Sequence, residues 1–348
     1  MKKIAIITLT ETAFLTGQQV RTTLQQVDSS MEIDLYGSKK IQQSDKKEFP
    51  SGRFTTSMPE LFSAYEGLIC IMATGIVVRS IAPLLKDKRQ DPGVIVMDEL
   101  GQFAISLLSG HIGGGNELAR LLEKHIGCTA VITTATDVQN VTAIDSLAKQ
   151  INGSYDQFKQ VTVWINGLLA NHRPVAIYQE GSWVKDTRGL TVINHLEEDL
   201  SQYEAVIIVS PYQIDSLVSH AVQVVPKCFV LGMGAKKDTS FSLILEEFTQ
   251  FCNLHHIHQK SIQKIVSIDL KKNEAGIIKL ATHLAVPFET YTKEELLPVS
   301  EKYPQSDFVK SIVGVGNVAL SAADLASHGQ VLTERYANRG VTFALGKD

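Results

Sequence analysis

The chain has 348 residues, 44% of them hydrophobic and 20% charged, with a net charge of −4. These proportions fit a globular protein of two or three domains and exclude a disordered chain. The acidic balance carries no footprint for nucleic acid or an anionic membrane surface, and no apolar run approaches the ~20 residues of a membrane span.

MKKIAIITLT opens with two lysines and an apolar run that breaks at Thr8 and Thr10, so it reads as a first strand rather than a leader. IAIITL (4–9) precedes a helical stretch near 12–26 and a strand MEIDLY (31–36), and residues 37–57 read as a loop. GLICIMA (67–73) leads into a helix GIVVRSIAPLL (75–85). GVIVMDE (93–99) and QFAISLLS (102–109) read as two strands joined by a turn at Gly101. A glycine loop then opens a helix over 115–126, followed by a strand AVITTAT (130–136). This alternation predicts an N-terminal α/β domain with a largely parallel sheet over residues 1–140.

Beyond Asp137 the alternation weakens. AIDSLAKQI and QVTVWINGLLAN read as helices, and PVAIYQE, LTVINHL and AVIIVS as strands, which predicts a smaller central α/β module over 141–226. The pattern restarts after Pro226. A strand (228–232), a turn at Gly232-x-Gly234, and Thr239 or Ser240 capping a helix to Phe251 begin it. VSIDL, a helix over 275–284, PFETY and GVTFALG complete a C-terminal α/β domain over 227–348. Cys70, Cys128, Cys228 and Cys252 stand apart with no CxxC pair and read as buried, reduced thiols of a cytoplasmic protein.

Four strand-to-helix junctions gather small and polar residues: Thr74-Gly75, Ser109-Gly110-His111 through Gly115, Thr133-Thr134 through Asp137, and Gly232 through Ser240. Ligands of open α/β sheets bind beyond the carboxyl ends of the strands. The first N–H groups of a helix carry partial positive charge, and glycine lets an anion approach them. SGHIGGGN (109–116) is therefore expected to cradle an anion with His111 beside it, against the plainer reading of glycines that serve a turn. G-x-G-x-x-G fails at Leu118 and no P-loop sequence occurs, so no nucleotide is expected. His255 and His258 lie three apart without further ligands at metal spacing, so no metal is expected. The run from Asp269 to Glu274, with Lys271, reads as a solvated turn or, with Lys236 and Lys237, as a basic rim for a ligand bearing several carboxylates.

LLSGHIGGGNELA followed by VITTATD, with TGIVVRSIAPLLKDKRQDPGVIVMDELG before it, resembles the N-terminal domain of the CbiG family, the cobalt-precorrin-5A hydrolases of anaerobic cobalamin biosynthesis. LGMGAKKDTS, SIDLKKNEAGIIKLA, VGVGNVALSAA and GVTFALG resemble the family's C-terminal part. Gly115 stands where the family more often has alanine, Ala235 where cysteine is frequent, and Lys236 where arginine is. Leu320 stands where a glutamate is common, which weakens any case for a catalytic carboxylate in that loop.

The resemblance implies a two-part reaction. Water opens a lactone, and the carbon extruded in ring contraction leaves with its methyl group as acetaldehyde. The cobalt arrives with the corrinoid substrate, so no cofactor belongs to the protein. His111 would act as general base, oriented by Asp137 or Asp98. The backbone of Gly113, Gly114, Gly115 and Asn116, with Ser109, Gly110, Thr74, Gly75, Thr133 and Thr134, would hold carboxylates or the oxyanion. Arg79 is suited to bidentate carboxylate binding or faces solvent. Neighbouring pathway enzymes are the expected protein partners. The competing reading is a non-catalytic tetrapyrrole carrier in which His111 ligates cobalt.

Overall fold

KIAIIT forms strand β1 (Lys3–Thr8), with all but its first residue buried, as a central strand covered on both faces requires. Thr10 caps helix α1 (Glu11–Val27) by accepting a hydrogen bond from the Ala13 amide at 3.2 Å. The chain returns as β2 (Glu32–Gly37). The computed structural model describes residues 1–87, 90–214 and 218–347, and the chain divides into two compact units, Met1–Ser146 and Leu147–Asp348.

The stretch 37–57, expected to be loop, holds a short strand β3 (Lys47–Glu48) and the first turn of α2 (Phe54–Ala64). Phe54, Met58, Leu61 and Phe62 are buried at helical spacing. Three hydroxyl residues and Pro59 between them hide that period in the sequence. The first unit continues with β4 (Gly67–Ile71), α3 (Thr74–Ile81), β5 (Gly93–Met97), β6 (Phe103–Leu108) and α4 (Gly115–Ile126). Pro83 is incompatible with a continuing α-helix, so α3 stops short of the expected Leu85 and gives way to one 3-10 turn. AVITTAT, read as one strand, is a three-residue strand β7 (Thr129–Val131) followed by α5 (Ala135–Val138). The helix α6 (Ile144–Gln150) follows.

The sheet order is β3-β2-β1-β4-β5-β6-β7. Every neighbouring pair is parallel except β5–β6, in which Val94 faces Leu108 and Met97 faces Ala104. This one reversal positions the site. The chain after Leu108 emerges at the edge where β4 and β5 begin, and β7, parallel to β6, releases Thr133 and Thr134 at that same edge. Thr74, Gly75, Arg79 and Asp98 follow the carboxyl ends of β4 and β5, at the opposite edge.

The second unit carries two sheets. The first contains β8 (Gly153–Ser154), then, after α7 (Phe158–Ala170), β9 (Val175–Gln179), β10 (Thr191–Ile193), β11 (Ala205–Val209) and β12 (Ala221–Pro226). Its order is β10-β9-β11-β12-β8, parallel apart from the β12–β8 pair. Next come β13 (Phe229–Ala235), α8 (Phe241–Leu254), β14 (Ile262–Ile268), α9 (Ala275–Leu284) and β15 (Phe288–Tyr291). α10 (Lys293–Ser300), α11 (Asp307–Val313), α12 (Val318–Ala326), β16 (Tyr336–Asn338) and β17 (Val341–Lys347) close the chain. Their sheet runs β15-β14-β13-β17-β16, parallel from β13 to β15 and antiparallel about β17. The molecule is thus an α/β protein with largely parallel sheets.

Ser240 caps α8, accepting from the Leu243 amide. Gly232 and Gly234 do not form the expected turn but lie within β13. A β-carbon on Gly232 would stand 2.1 Å from the Ala319 carbonyl oxygen, so glycine is what lets the alanine-rich α12 lie against the strand. Leu320 is buried on that helix and packs in one cluster with Ala319 and Ala323 of α12 and Ala344 of β17. The four cysteines are buried free thiols, and no helix of the described residues is long and apolar enough to cross a membrane.

Candidate active site

Between β6 and α4 the chain reverses through Ser109–Gly115. Gly114 sits in the left-handed region at φ 76°, which glycine adopts without the clash a β-carbon brings. The reversal consumes its own donors. The Gly114 amide donates to the His111 carbonyl (3.0 Å), Gly115 to Ser109 (3.2 Å) and Asn116 to Gly110 (2.9 Å). Of the four amides expected to cradle an anion, those of Gly114, Gly115 and Asn116 are thus engaged by the loop's own carbonyls. Gly113 packs against Ser109, whose hydroxyl is buried without a hydrogen-bond partner among the described residues.

What the loop delivers is His111. Its Nε2 lies 2.9 Å from Asp137 Oδ2 and 3.2 Å from the Thr136 hydroxyl, and its Nδ1 lies 3.8 Å from Asp145 Oδ2. Asp137 comes from α5 and Asp145 from the first turn of α6. Asn116, in the first turn of α4, donates to Asp137 (2.7 Å) and to the Thr134 hydroxyl (3.1 Å) and accepts from the Ser106 hydroxyl (2.7 Å). One turn further on, Arg120 pairs with the other oxygen of Asp137. The Asp145 side chain is only 2% exposed, against 16% for His111.

Burial pulls the His111 pKa down, but Asp145 and then Asp137 outweigh it and raise the ring above its ordinary 6.5. Burial likewise pushes Asp137 up, and Arg120 and His111 overcome it and hold the carboxyl below 3.8. The cluster is a guanidinium, a carboxyl group, an imidazole and a second, buried carboxyl group in series, and the carboxyl group at each ring nitrogen favours the protonated form of His111. Of the two carboxylates considered as its orienting partner, Asp137 is beside it. Asp98 is not: it accepts from the amides of Leu100, Gln102 and Phe103 and closes the β5–β6 turn. Asp145 escaped the sequence reading because an aspartate in a helix's first turn is ordinarily a dipole partner.

The remaining predicted residues separate. Thr134 joins the cluster and Thr133 is exposed beside it. Thr74 and Gly75 open α3 at the other sheet edge, and Arg79 donates to the Gly75 carbonyl of its own helix at 3.0 Å. Lys236, Lys237 and Lys271 line a pocket of about 650 Å³ in the second unit, together with Arg335 and Arg339, which the sequence reading missed. His258 caps a 3-10 turn, its Nδ1 accepting from the Lys260 amide at 3.1 Å.

Fold and cluster define a multi-sheet α/β protein built around a histidine flanked by two carboxylates. Three family descriptions match in succession: cobalamin synthesis G N-terminal over residues 56–137, cobalamin biosynthesis central region over 142–226 and cobalamin synthesis G C-terminus over 229–346. A cobalt-precorrin-5A hydrolase of Salmonella typhimurium is 37% identical over 322 residues, covering 91% of this chain and 91% of its own. One of Priestia megaterium is 32% identical over 317 residues, covering 86% of this chain and 84% of its own. The chain belongs to the cobalamin synthesis G family.

Proposed function

We propose that this chain is a cobalt-precorrin-5A hydrolase, opening the lactone of a cobalt-corrinoid and releasing acetaldehyde, with His111 as the proton-transferring residue. Relatedness along nine-tenths of the chain supports the reaction. The observation that carries the site is His111 held between Asp137 and Asp145. Water adds to the lactone carbonyl and sheds a proton to solvent, the ring C–O bond breaks to leave a carboxylic acid, and the imidazolium gives its proton to the departing oxygen. The neutral imidazole then takes that hydroxyl's proton back as the neighbouring C–C bond breaks. Acetaldehyde leaves and the electron pair stays on the macrocycle. Asp137 and Asp145 fix the ring and stabilise its charged form. Cobalt enters and leaves as part of the substrate. The four buried free thiols suit a reducing, cytoplasmic setting.

The test is turnover of cobalt-precorrin-5A without added nucleotide or metal, with acetaldehyde trapped as its hydrazone. The wild-type chain should release acetaldehyde, and His111→Ala should do so roughly 100-fold more slowly while still binding the corrinoid. Near-normal release by His111→Ala would remove the residue from the mechanism. Binding without release by the wild type would instead make the chain a carrier.

A further inference from the structure

We infer that the pocket of about 650 Å³ in the second unit binds the carboxylate-bearing edge of a flat, polycarboxylated macrocycle, with Lys236, Lys237 and Arg335 supplying charge and buried Glu247 holding Arg339 in place. The inference rests on the corrinoid reading above for its natural ligand, but its evidence is the pocket itself.

The pocket opens where β13 and β14 end and β17 begins, walled by α11 on one side and the β16–β17 hairpin on the other. Ile268, Val313, Val318 and Val341 give it apolar walls, and Ile312, 62% exposed, extends that surface outward. Five lining residues are lysine or arginine and none of those described is acidic, in a chain whose net charge is −4. Among the described residues no carboxylate lies within ion-pair distance of Lys236, Lys237 or Arg335. Cations gathered at one mouth repel each other and are stabilised by an anion. A small hydrated anion would leave the apolar walls unused. A flat ring with acids on its edge satisfies both.

Arg339 is placed differently. It and Gly340 form the two-residue turn of the hairpin, at φ 45° and 85°, a geometry that favours asparagine and glycine. Glu247, fully buried on α8, accepts from the Tyr336 hydroxyl (2.7 Å) and from Arg339 (3.4 Å), and the half-exposed Glu246 adds a contact at 2.9 Å. A buried carboxylate needs its cation. That need fixes the guanidinium at the pocket rim, so Glu247 is a positioning residue that acts through Arg339.

The experiment titrates the full-length chain with uroporphyrin III (eight carboxylates), coproporphyrin III (four) and deuteroporphyrin IX (two), following fluorescence at two salt concentrations. Affinity should rise with the number of carboxylates, and the preference should shrink at high salt. The double variant Lys237→Glu, Arg335→Glu should bind uroporphyrin at least 10-fold more weakly and deuteroporphyrin nearly as well as the wild type. Glu247→Gln and Arg339→Gln should each reduce the ratio of uroporphyrin to coproporphyrin affinity, a readout that loss of stability alone does not move. Equal affinity for the three porphyrins, unchanged binding by the double variant, or displacement by ATP at equal concentration would each overturn the inference. Acetaldehyde release keeps the two readings apart. Turnover with normal porphyrin binding by the double variant sinks only the pocket, whereas carboxylate-graded binding without turnover sinks only the hydrolase.

Discussion

Asp145 Oδ2 stands 3.8 Å from His111 Nδ1, at the ring nitrogen that Asp137 does not occupy. Because the Asp145 side chain is almost wholly buried, its charge is poorly screened and acts on the ring more strongly than an exposed carboxylate would. Asp145→Asn should therefore lower the His111 pKa while leaving the Asp137 contact in place. NMR titration of the ring ε1 proton reads this directly, and an unmoved midpoint would show that Asp137 alone sets the charge.

The same pairing makes stability depend on pH. The folded His111 pKa lies above 6.5, so its contribution is complete below about pH 6.5 and is lost as pH rises through the folded value. The stability gap between the wild type and His111→Asn should narrow on going from pH 6 to higher pH. Asp137 works in the other direction: its contribution is present above 3.8 and is lost as pH falls through its lowered folded pKa. Urea unfolding of both proteins from below pH 3.8 to well above pH 6.5 tests both limbs, and a gap independent of pH would contradict the charged pairing.

Asp98→Ala should leave acetaldehyde release within about twofold of the wild type while costing about 1 kcal/mol of stability, the usual scale for a carboxylate that caps backbone amides. Its partners are the amides of one turn, at the sheet edge away from His111. Parallel assays of turnover and thermal unfolding separate the two effects. A turnover loss as large as that of His111→Ala would return Asp98 to the mechanism.

Two glycine substitutions should differ in severity. Gly114→Ala places a side chain at φ 76° and should cost about 1–2 kcal/mol, with the loop preserved. Gly232→Ala drives a methyl group into the Ala319 carbonyl and should cost about 3 kcal/mol, at the upper end of overpacking penalties, because backbone cannot step aside as a side chain can. Denaturant midpoints give the comparison, and equal losses would mean that α12 shifts freely from β13.

Much of this protein is written locally. The strand-and-helix alternation, the helix over 115–126 with its glycine entry, the helix over 275–284 and a cap at Thr239 or Ser240 are all legible in residue order. Periodicity and capping act over a few residues, so each segment announces them by itself. Residue order offered Asp137 and Asp98 alike as partners of His111, and only the packing of α5 beside the glycine loop brings Asp137 to the ring. The consequence of strand direction was not legible either. A turn as short as that at Gly101 makes QFAISLLS run against β5, but only the assembled sheet puts His111 at one edge and Thr74, Arg79 and Asp98 at the other. Nor does GHIGGGN reveal that the amides of Gly114, Gly115 and Asn116 close on the loop's own carbonyls, or AIDSLAKQI that its aspartate turns inward. Lys236, Lys237 and Lys271 hinted at a basic rim, but Arg335 and Arg339 join it only because β16 and β17 fold back beside β13. Pairing between distant segments selects those outcomes, and its energy comes from contacts that residue order does not display.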